Sequence, residues 1–250
     1  MSAARTVLVT GAARRLGATI ARHLAGQGWR VAIHHHHSAD DADALAAELP
    51  GATVLSGDLA DPEVPAVLVA AARAAFGGPL VALVNSASLF DYDTPPEITA
   101  ASLRAHGVVN LEAPVLLASA LAAQDDLVAG AVVNILDQKV ANLNPDFFSY
   151  SCGKIALTGA TTMLAQALRP RVRVNAVSPG LSLPSADQSE AEFVAAASKN
   201  LLQRPVDPAD IARAVGFLLE ADGLEGQNLF VDCGQHFLKR DRDVMFEGRA

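Results

Sequence analysis

Short apolar runs separated by longer helical patterns decide what this chain can fold into. Arg5–Val9, Arg30–Ile33, Thr53–Leu55, Leu80–Val84, Ala131–Ile135, Val172–Val177 and Asn228–Val231 read as strands. Helical patterns fall between them, over Leu16–Gln27, Ala39–Glu48, about Pro62 to Phe76, Ala101–Ala123, the stretch holding Tyr150–Leu168, and Pro208–Glu220. The strand runs are near-continuous in hydrophobicity rather than alternating, as expected when helices cover both faces of a parallel sheet. Strands joined through helices imply right-handed crossovers, and so an α/β, doubly wound sheet. No repeat or low-complexity linker interrupts the pattern. Leu181–Ala191, rich in Ser and Pro, is the least regular stretch. It reads as a mobile lid over a pocket, with an interdomain linker as the alternative.

Composition excludes several functions. Hydrophobic residues make up 51% of the 250 residues, enough for a large core, and charged residues only 18%. The net charge of −8 argues against a nucleic-acid or membrane-surface binder. No uninterrupted apolar stretch of about 18 residues exists to span a bilayer. No signal peptide is expected ahead of Val7-Leu8-Val9. Two cysteines, Cys152 and Cys233, read as reduced thiols of a cytoplasmic protein.

The first strand ends in Thr10-Gly11-Ala12-Ala13-Arg14-Arg15-Leu16-Gly17. Gly11 permits a tight turn and Gly17 a close backbone approach, and the following helix offers free N–H groups to an anion. The spacing is looser than G-x-G-x-x-G. The second strand ends in His34-His35-His36-His37-Ser38, with no carboxylate before Asp40 to hold a ribose 2′-hydroxyl. Arg14, Arg15, His36, His37 and Ser38 suit a 2′-phosphate instead, which predicts NADPH over NADH. A solvated strand end is the bland alternative. A metal site is disfavoured, because adjacent strand residues point to opposite faces. Asp58-Leu59 after the third strand can meet an adenine or simply form a turn. Asn85-Ser86-Ala87 after the fourth offers small residues for backbone approach to a ligand.

Tyr150 and Lys154 stand four residues apart in a helical pattern, on one face. An ammonium nearby favours the phenolate, which would lower the Tyr150 pKa and make it a general acid/base for hydride transfer. At the carboxyl edge of a dinucleotide-type sheet this pairing outweighs an ordinary surface pair.

The Thr10–Gly17 turn, Asn85-Ser86-Ala87, Asn110, Tyr150/Lys154 and Pro179-Gly180 resemble, in order and spacing, the short-chain dehydrogenase/reductase family. The resemblance covers nearly the whole chain. It implies a single Rossmann domain over 1–250 with seven parallel strands and a substrate lid at about 181–203. It implies that Tyr150 is the proton donor and that Lys154 binds the nicotinamide ribose. Asn110 would hold a water linking Lys154 to solvent, Pro179-Gly180 would flank the nicotinamide with Ser182 beyond, and the enzyme would be a dimer or, more often, a homotetramer. One position departs from the pattern. The family usually carries a Ser where this chain has Asp137, 13 residues before Tyr150. An ionised Asp only accepts hydrogen bonds, so it suits a substrate offering N–H groups or one protonated on nitrogen; the alternative is that Asp137 is a simple loop residue and the true donor lies elsewhere.

That departure looks like the pteridine reductase subgroup. Its phosphate turn and its strand-two end are similar to Thr10–Gly17 and to Ile33–Ala39, although His37 replaces the usual Arg. Ser88-Leu89-Phe90 and Pro179-Gly180-Leu181-Ser182 also match. The resemblance implies a pterin sandwiched between Phe90 and the nicotinamide, and reduction of a dihydropterin C=N bond by NADPH with Asp137 and Tyr150 relaying the proton. Phe90 as a plain core or lid aromatic is the alternative. Two further readings remain: a ketone or aldehyde reductase in which Tyr150 protonates the alkoxide, and a catalytically silent NADPH-binding protein. Val231-Asp232-Cys233-Gly234 has Cys233 where the family commonly has Gly. The charged tail Gln235–Ala250 reads either as closing over a neighbouring subunit's pocket or, by default, as a solvated end.

Overall fold

The computed structural model describes residues 5–184 and 188–246. Seven strands form one parallel sheet in the order β3-β2-β1-β4-β5-β6-β7. They are β1 Thr6–Val9, β2 Arg30–His35, β3 Thr53–Ser56, β4 Ala82–Asn85, β5 Gly130–Ile135, β6 Val172–Pro179 and β7 Asn228–Val231. The order reverses at β1 and β4, which opens a crevice at their carboxyl ends. Val7, Leu8 and Val9 are all fully buried. Val7 and Val9 pack toward α1 (Arg15–Gly26), α2 (Ala39–Glu48) and α8 (Pro208–Glu220). Leu8 packs toward α3 (Val64–Phe76) and α5 (Ala113–Ala122) on the other face. Helices on both faces are why the strands are apolar throughout.

The expected helix over Ala101–Ala123 is three pieces. It runs as α4 (Ala100–Gly107), a π turn over Val108–Glu112, and α5. A π turn is the usual form of a one-residue insertion in a helix and is common at functional sites. Asn110 lies in this turn and is fully buried. The run Ala100–Ala122 is long and apolar enough, by length and composition, to cross a bilayer. Here Ala113, Leu117, Ala118 and Leu121 instead form part of the core, and Arg104, His106, Asn110 and Glu112 interrupt the run.

Within the expected lid, Ser189 and Glu192 form a capping box that starts α7 (Glu190–Ala197); residues 185–187 lie outside the described residues. The tail is not a solvated end. It makes two 3-10 turns, Gln235–Phe237 and Val244–Phe246, and buries Asp243.

His34 ties three loops together. Gly11 N–H donates to His34 Nδ1 at 3.1 Å, so the ring proton sits on Nε2, 3.1 Å from the Gly57 carbonyl that accepts it. Burial pushes the His34 pKa from 6.5 down to about 4. The folded chain therefore binds fewer protons here than the unfolded chain, and this site's contribution falls as pH drops from about 6.5 to about 4. The full loss is about 3 kcal/mol. Denaturant melts across this window should show a steeper decline for the native chain than for His34→Gln. Parallel slopes would contradict the assignment.

Candidate active site

The end of β5 and the α6 helix (Phe148–Leu168) carry Asp137, Tyr150 and Lys154, the expected reacting groups. Just past β5, Asp137 caps a 3-10 turn and its Oδ1 accepts the Lys139 N–H at 2.8 Å. Its Oδ2 accepts the Tyr150 hydroxyl at 2.7 Å. One turn along α6, Lys154 Nζ donates to the Ile135 carbonyl at 2.7 Å and lies 5.7 Å from the Tyr150 ring. Tyr150 and Lys154 are both buried.

The electrostatics differ from the sequence expectation. Burial, and then the Asp137 charge, push the Tyr150 pKa well above its ordinary value. Lys154 lies beside the ring with its Nζ on the Ile135 carbonyl, and burial lowers its pKa to about 8. Burial also raises Asp137, against the Lys139 N–H and the Tyr150 hydroxyl, which hold its charged form. Tyr150 thus stands as a firm hydrogen-bond donor, with Asp137 as its acceptor.

Phe90 forms a wall beside this pair. It stacks on Phe147 with centroids 4.2 Å apart and meets Tyr150 edge-on at 4.7 Å. Phe90 is 43% exposed, which leaves ring surface for a flat ligand. Phe147 precedes α6 with φ near +53° and offers no cap. Asp93 supplies it, accepting the Ser149 N–H at 2.9 Å and the Ser102 hydroxyl at 2.8 Å. Burial works against the Asp93 carboxylate, but these Ser149 and Ser102 bonds hold it below its usual range.

The loop between Ala87 and Phe90 is held by Asn110. Its Oδ1 accepts the Leu89 N–H and the Ser88 hydroxyl, each at 3.0 Å, and its Nδ2 donates to the Leu89 carbonyl at 2.9 Å. Gly153 allows this approach, since a Cβ there would lie 3.1 Å from Asn110 Cβ. The Asn110 amide is thus engaged with the loop rather than directly with Lys154.

On the phosphate side, a Cβ on Gly17 would lie 2.2 Å from the Gly11 carbonyl oxygen, and one on Gly11 2.8 Å from Ala87 Cα. Thr10 Oγ1 accepts the Ser86 and Ala87 N–H groups at 3.0 Å, which joins the turn to the β4 end. No side chain caps α1 and no acidic residue sits in its first turn, so its N–H groups and dipole are available to an anion. Arg14 (3.5 Å from Asp41), His36 (3.8 Å from Asp58) and His37 (its ring tilted against His36, centroids 3.5 Å apart) are largely exposed at the crevice edge, with Ser38 next in the chain. This cationic and donor-rich set fits a dinucleotide carrying a 2′-phosphate. Other expected contacts are taken up within the protein. Asn85 donates to Asn134 Oδ1 at 2.8 Å, Leu59 is buried in the core on the α3/α5 face, Leu16 packs against the core on the α1/α8 face, and Asp58 accepts the Ala60 N–H in a local turn. Arg15 donates to the Pro184 carbonyl at 2.8 Å, which links the phosphate turn to the lid. Gly180 must be glycine-small, because a Cβ would meet Asp232 Cα and Gln235 Oε1 at 2.8 Å. Leu181 N–H donates to that same Gln235 oxygen at 3.2 Å, and Ser182 is partly buried beyond it.

A parallel sheet with a Tyr–Lys pair at its carboxyl edge and an anion-ready first turn defines a dinucleotide-dependent oxidoreductase. A family model described as Enoyl-(Acyl carrier protein) reductase matches residues 11–236, and the chain belongs to this family, the short-chain dehydrogenase/reductases. The FolM alternative dihydrofolate reductase 1 of Brucella canis, solved in complex with NADP, is similar at 41% identity and a TM-score of 0.90, over 98% of each chain. A dihydromonapterin reductase of Klebsiella pneumoniae is 26% identical over 92% of this chain and 96% of its own length. An NADPH-dependent aldehyde reductase-like protein of Arabidopsis thaliana is 28% identical over 93% and 94%.

Sequence reasoning did not find Lys139, Asn134, Phe147 or Asp243. Phe147 and Lys139 lie close to Asp137 and Tyr150 in the chain, but neither residue type announces a site. The clamp on the Ser88–Leu89 loop can be tested directly. Asn110→Ala removes three hydrogen bonds and should cost about 2 kcal/mol of stability in urea melts. An unchanged midpoint and slope would refute it.

Proposed function

We propose that this chain is an NADPH-dependent reductase of dihydropterins, acting on a ring C=N bond. The Tyr150–Asp137 hydrogen bond of 2.7 Å, beside the exposed Phe90 ring, carries the reading. A carboxylate in this position accepts N–H groups, which a pterin ring offers and a ketone does not. The two pterin-linked relatives, one of them solved with NADP, support both substrate and cofactor.

Each side chain then has a defined task. Arg14, His36, His37 and Ser38 hold the 2′-phosphate, and the Gly11–Gly17 turn holds the pyrophosphate with the N–H groups of α1. Asp58-Leu59 and Asn85-Ser86-Ala87 line the adenine and ribose side, the former chiefly through backbone. Lys154 and Tyr150 hold the nicotinamide ribose, with Pro179-Gly180 and Ser182 flanking the nicotinamide. NADPH supplies the hydride that goes to the ring carbon. The ring nitrogen gains a proton relayed by the Asp137–Tyr150 pair, the Tyr150 hydroxyl turning from Asp137 to the nitrogen as it donates. Asp137 orients that hydroxyl and accepts ring N–H groups. Phe90, Ser88 and Leu181 bound the pterin, and the segment at about 181–203 closes over it. The assembly is a cytoplasmic homotetramer. The aldehyde reductase relative favours a second reading, carbonyl reduction with Tyr150 protonating the alkoxide. Asp137 opposes it, because a carboxylate cannot donate to a carbonyl oxygen.

Asp137→Ser tests the choice. It should lower kcat/KM for a dihydropterin by about 10²-fold or more while NADPH affinity is retained. Turnover equal to the native chain, followed by NADPH absorbance, would defeat the pterin reading. A gain on simple ketones would favour the second.

A further inference from the structure

The charged tail returns to the site. From Leu238 to Phe246 it crosses the loop that carries Asp137. Asn142 Nδ2 donates to the Leu238 carbonyl at 2.9 Å, and Arg240 donates to the Lys199 carbonyl at 2.7 Å, beside α7. Arg242 and the Asp243 N–H both bond Asp146, at 3.1 and 2.7 Å. Burial works against the Asp146 carboxylate, but Arg242, the Asp243 N–H and Tyr92 together hold it in its charged form. Phe246 meets Tyr92 at 5.1 Å and lies 6.1 Å from Phe147, on which Phe90 is stacked.

At the centre of this strap is a buried ion pair. Asp243 Oδ2 accepts from Lys139 Nζ at 2.8 Å, with side chains only 8% and 4% exposed. Lys139 Nζ also donates to Asn144 Oδ1 at 2.9 Å, and the Lys139 N–H bonds the Asp137 carboxylate. Breaking such a pair leaves an uncompensated buried charge, so each partner fixes the other. Two contacts in series therefore join the tail to the carboxylate that holds Tyr150.

We propose that the 238–246 strap is a working part of the active site, in which Lys139 and Asp243 are positioning residues that hold the Asp137 turn and the Phe90/Phe147 wall in their reacting arrangement. The proposal rests on the reductase reading above for its activity assay, but it also has a readout without substrate. The charged and titratable groups facing Asp137 are Tyr150, Lys139, Lys154 and Asp243.

The test is Asp243→Asn in the full chain. Misplacing the carboxylate should lower kcat by about 10-fold to 10²-fold, with NADPH affinity unchanged. The Asp243 charge raises the pKa of both Asp137 and Tyr150, so the pH–rate profile should move to lower pH. Asp243→Glu should recover most of the activity. Hydrogen exchange of the 137–147 backbone should quicken in the folded Asp243→Asn protein. If that variant does not fold, the Lys139→Met/Asp243→Asn double variant removes both buried charges and should show the same kcat loss with NADPH binding kept. Native turnover with a native pH profile and native exchange, in whichever variant folds, overturns the proposal. So does NADPH affinity falling in step with kcat. If the native chain itself does not reduce dihydropterins, the substrate reading fails, and the exchange measurement still decides the strap.

Discussion

A single hydrogen bond, from the Tyr150 hydroxyl to Asp137, organises the reacting end of this molecule. Tyrosine and carboxylate are both pushed by burial toward their protonated forms. Side by side they favour one shared arrangement, a neutral phenol donating to a charged acid. Holding a carboxylate there requires other donors, and the Lys139 N–H and Lys139 charge supply them. Lys139 in turn needs a counter-charge, which the distant tail provides as Asp243. The tail, the Asp137 turn and the α6 N-terminus are therefore parts of one electrostatic unit.

The cofactor side follows a different logic. It depends on backbone N–H groups left free and on turns with no room for a Cβ. His34, Thr10 and Asn85 serve it from within, by tying the ends of β1, β2, β3, β4 and β5 to one another. Their side chains are consumed in the scaffold, while Arg14, His36 and His37 stay exposed at the crevice edge. The run of four histidines divides where β2 ends: His34 and His35 are buried within the strand, and His36 and His37 are exposed just beyond it.

Much of this was legible in the chain. The continuous apolar strands and intervening helices carried the parallel, doubly wound sheet, because their hydrophobicity records coverage of both faces. The four-residue spacing of Tyr150 and Lys154 carried the reaction type, and Asp137 carried the departure from ketone chemistry. Other features were hidden for physical reasons. The π turn at Val108–Glu112 adds no unusual residue to an apolar helical pattern, so Ala101–Ala123 read as one helix. The strap was hidden because Lys139 and Asp243 are 104 residues apart and a charged tail is usually solvated. The direction of the Tyr150 shift was also hidden, because helix spacing brings Lys154 near but reveals neither the burial of the hydroxyl nor the Asp137 charge beside it.

The most direct measurement is a crystal structure of the chain with NADP and a bound pterin. The account predicts the ring against Phe90, with ring N–H groups within about 3.2 Å of the Asp137 carboxylate and the Tyr150 hydroxyl facing the nitrogen that is reduced. A pterin held elsewhere, or one whose carbonyl oxygen takes the Tyr150 hydroxyl while Asp137 turns away, would contradict it.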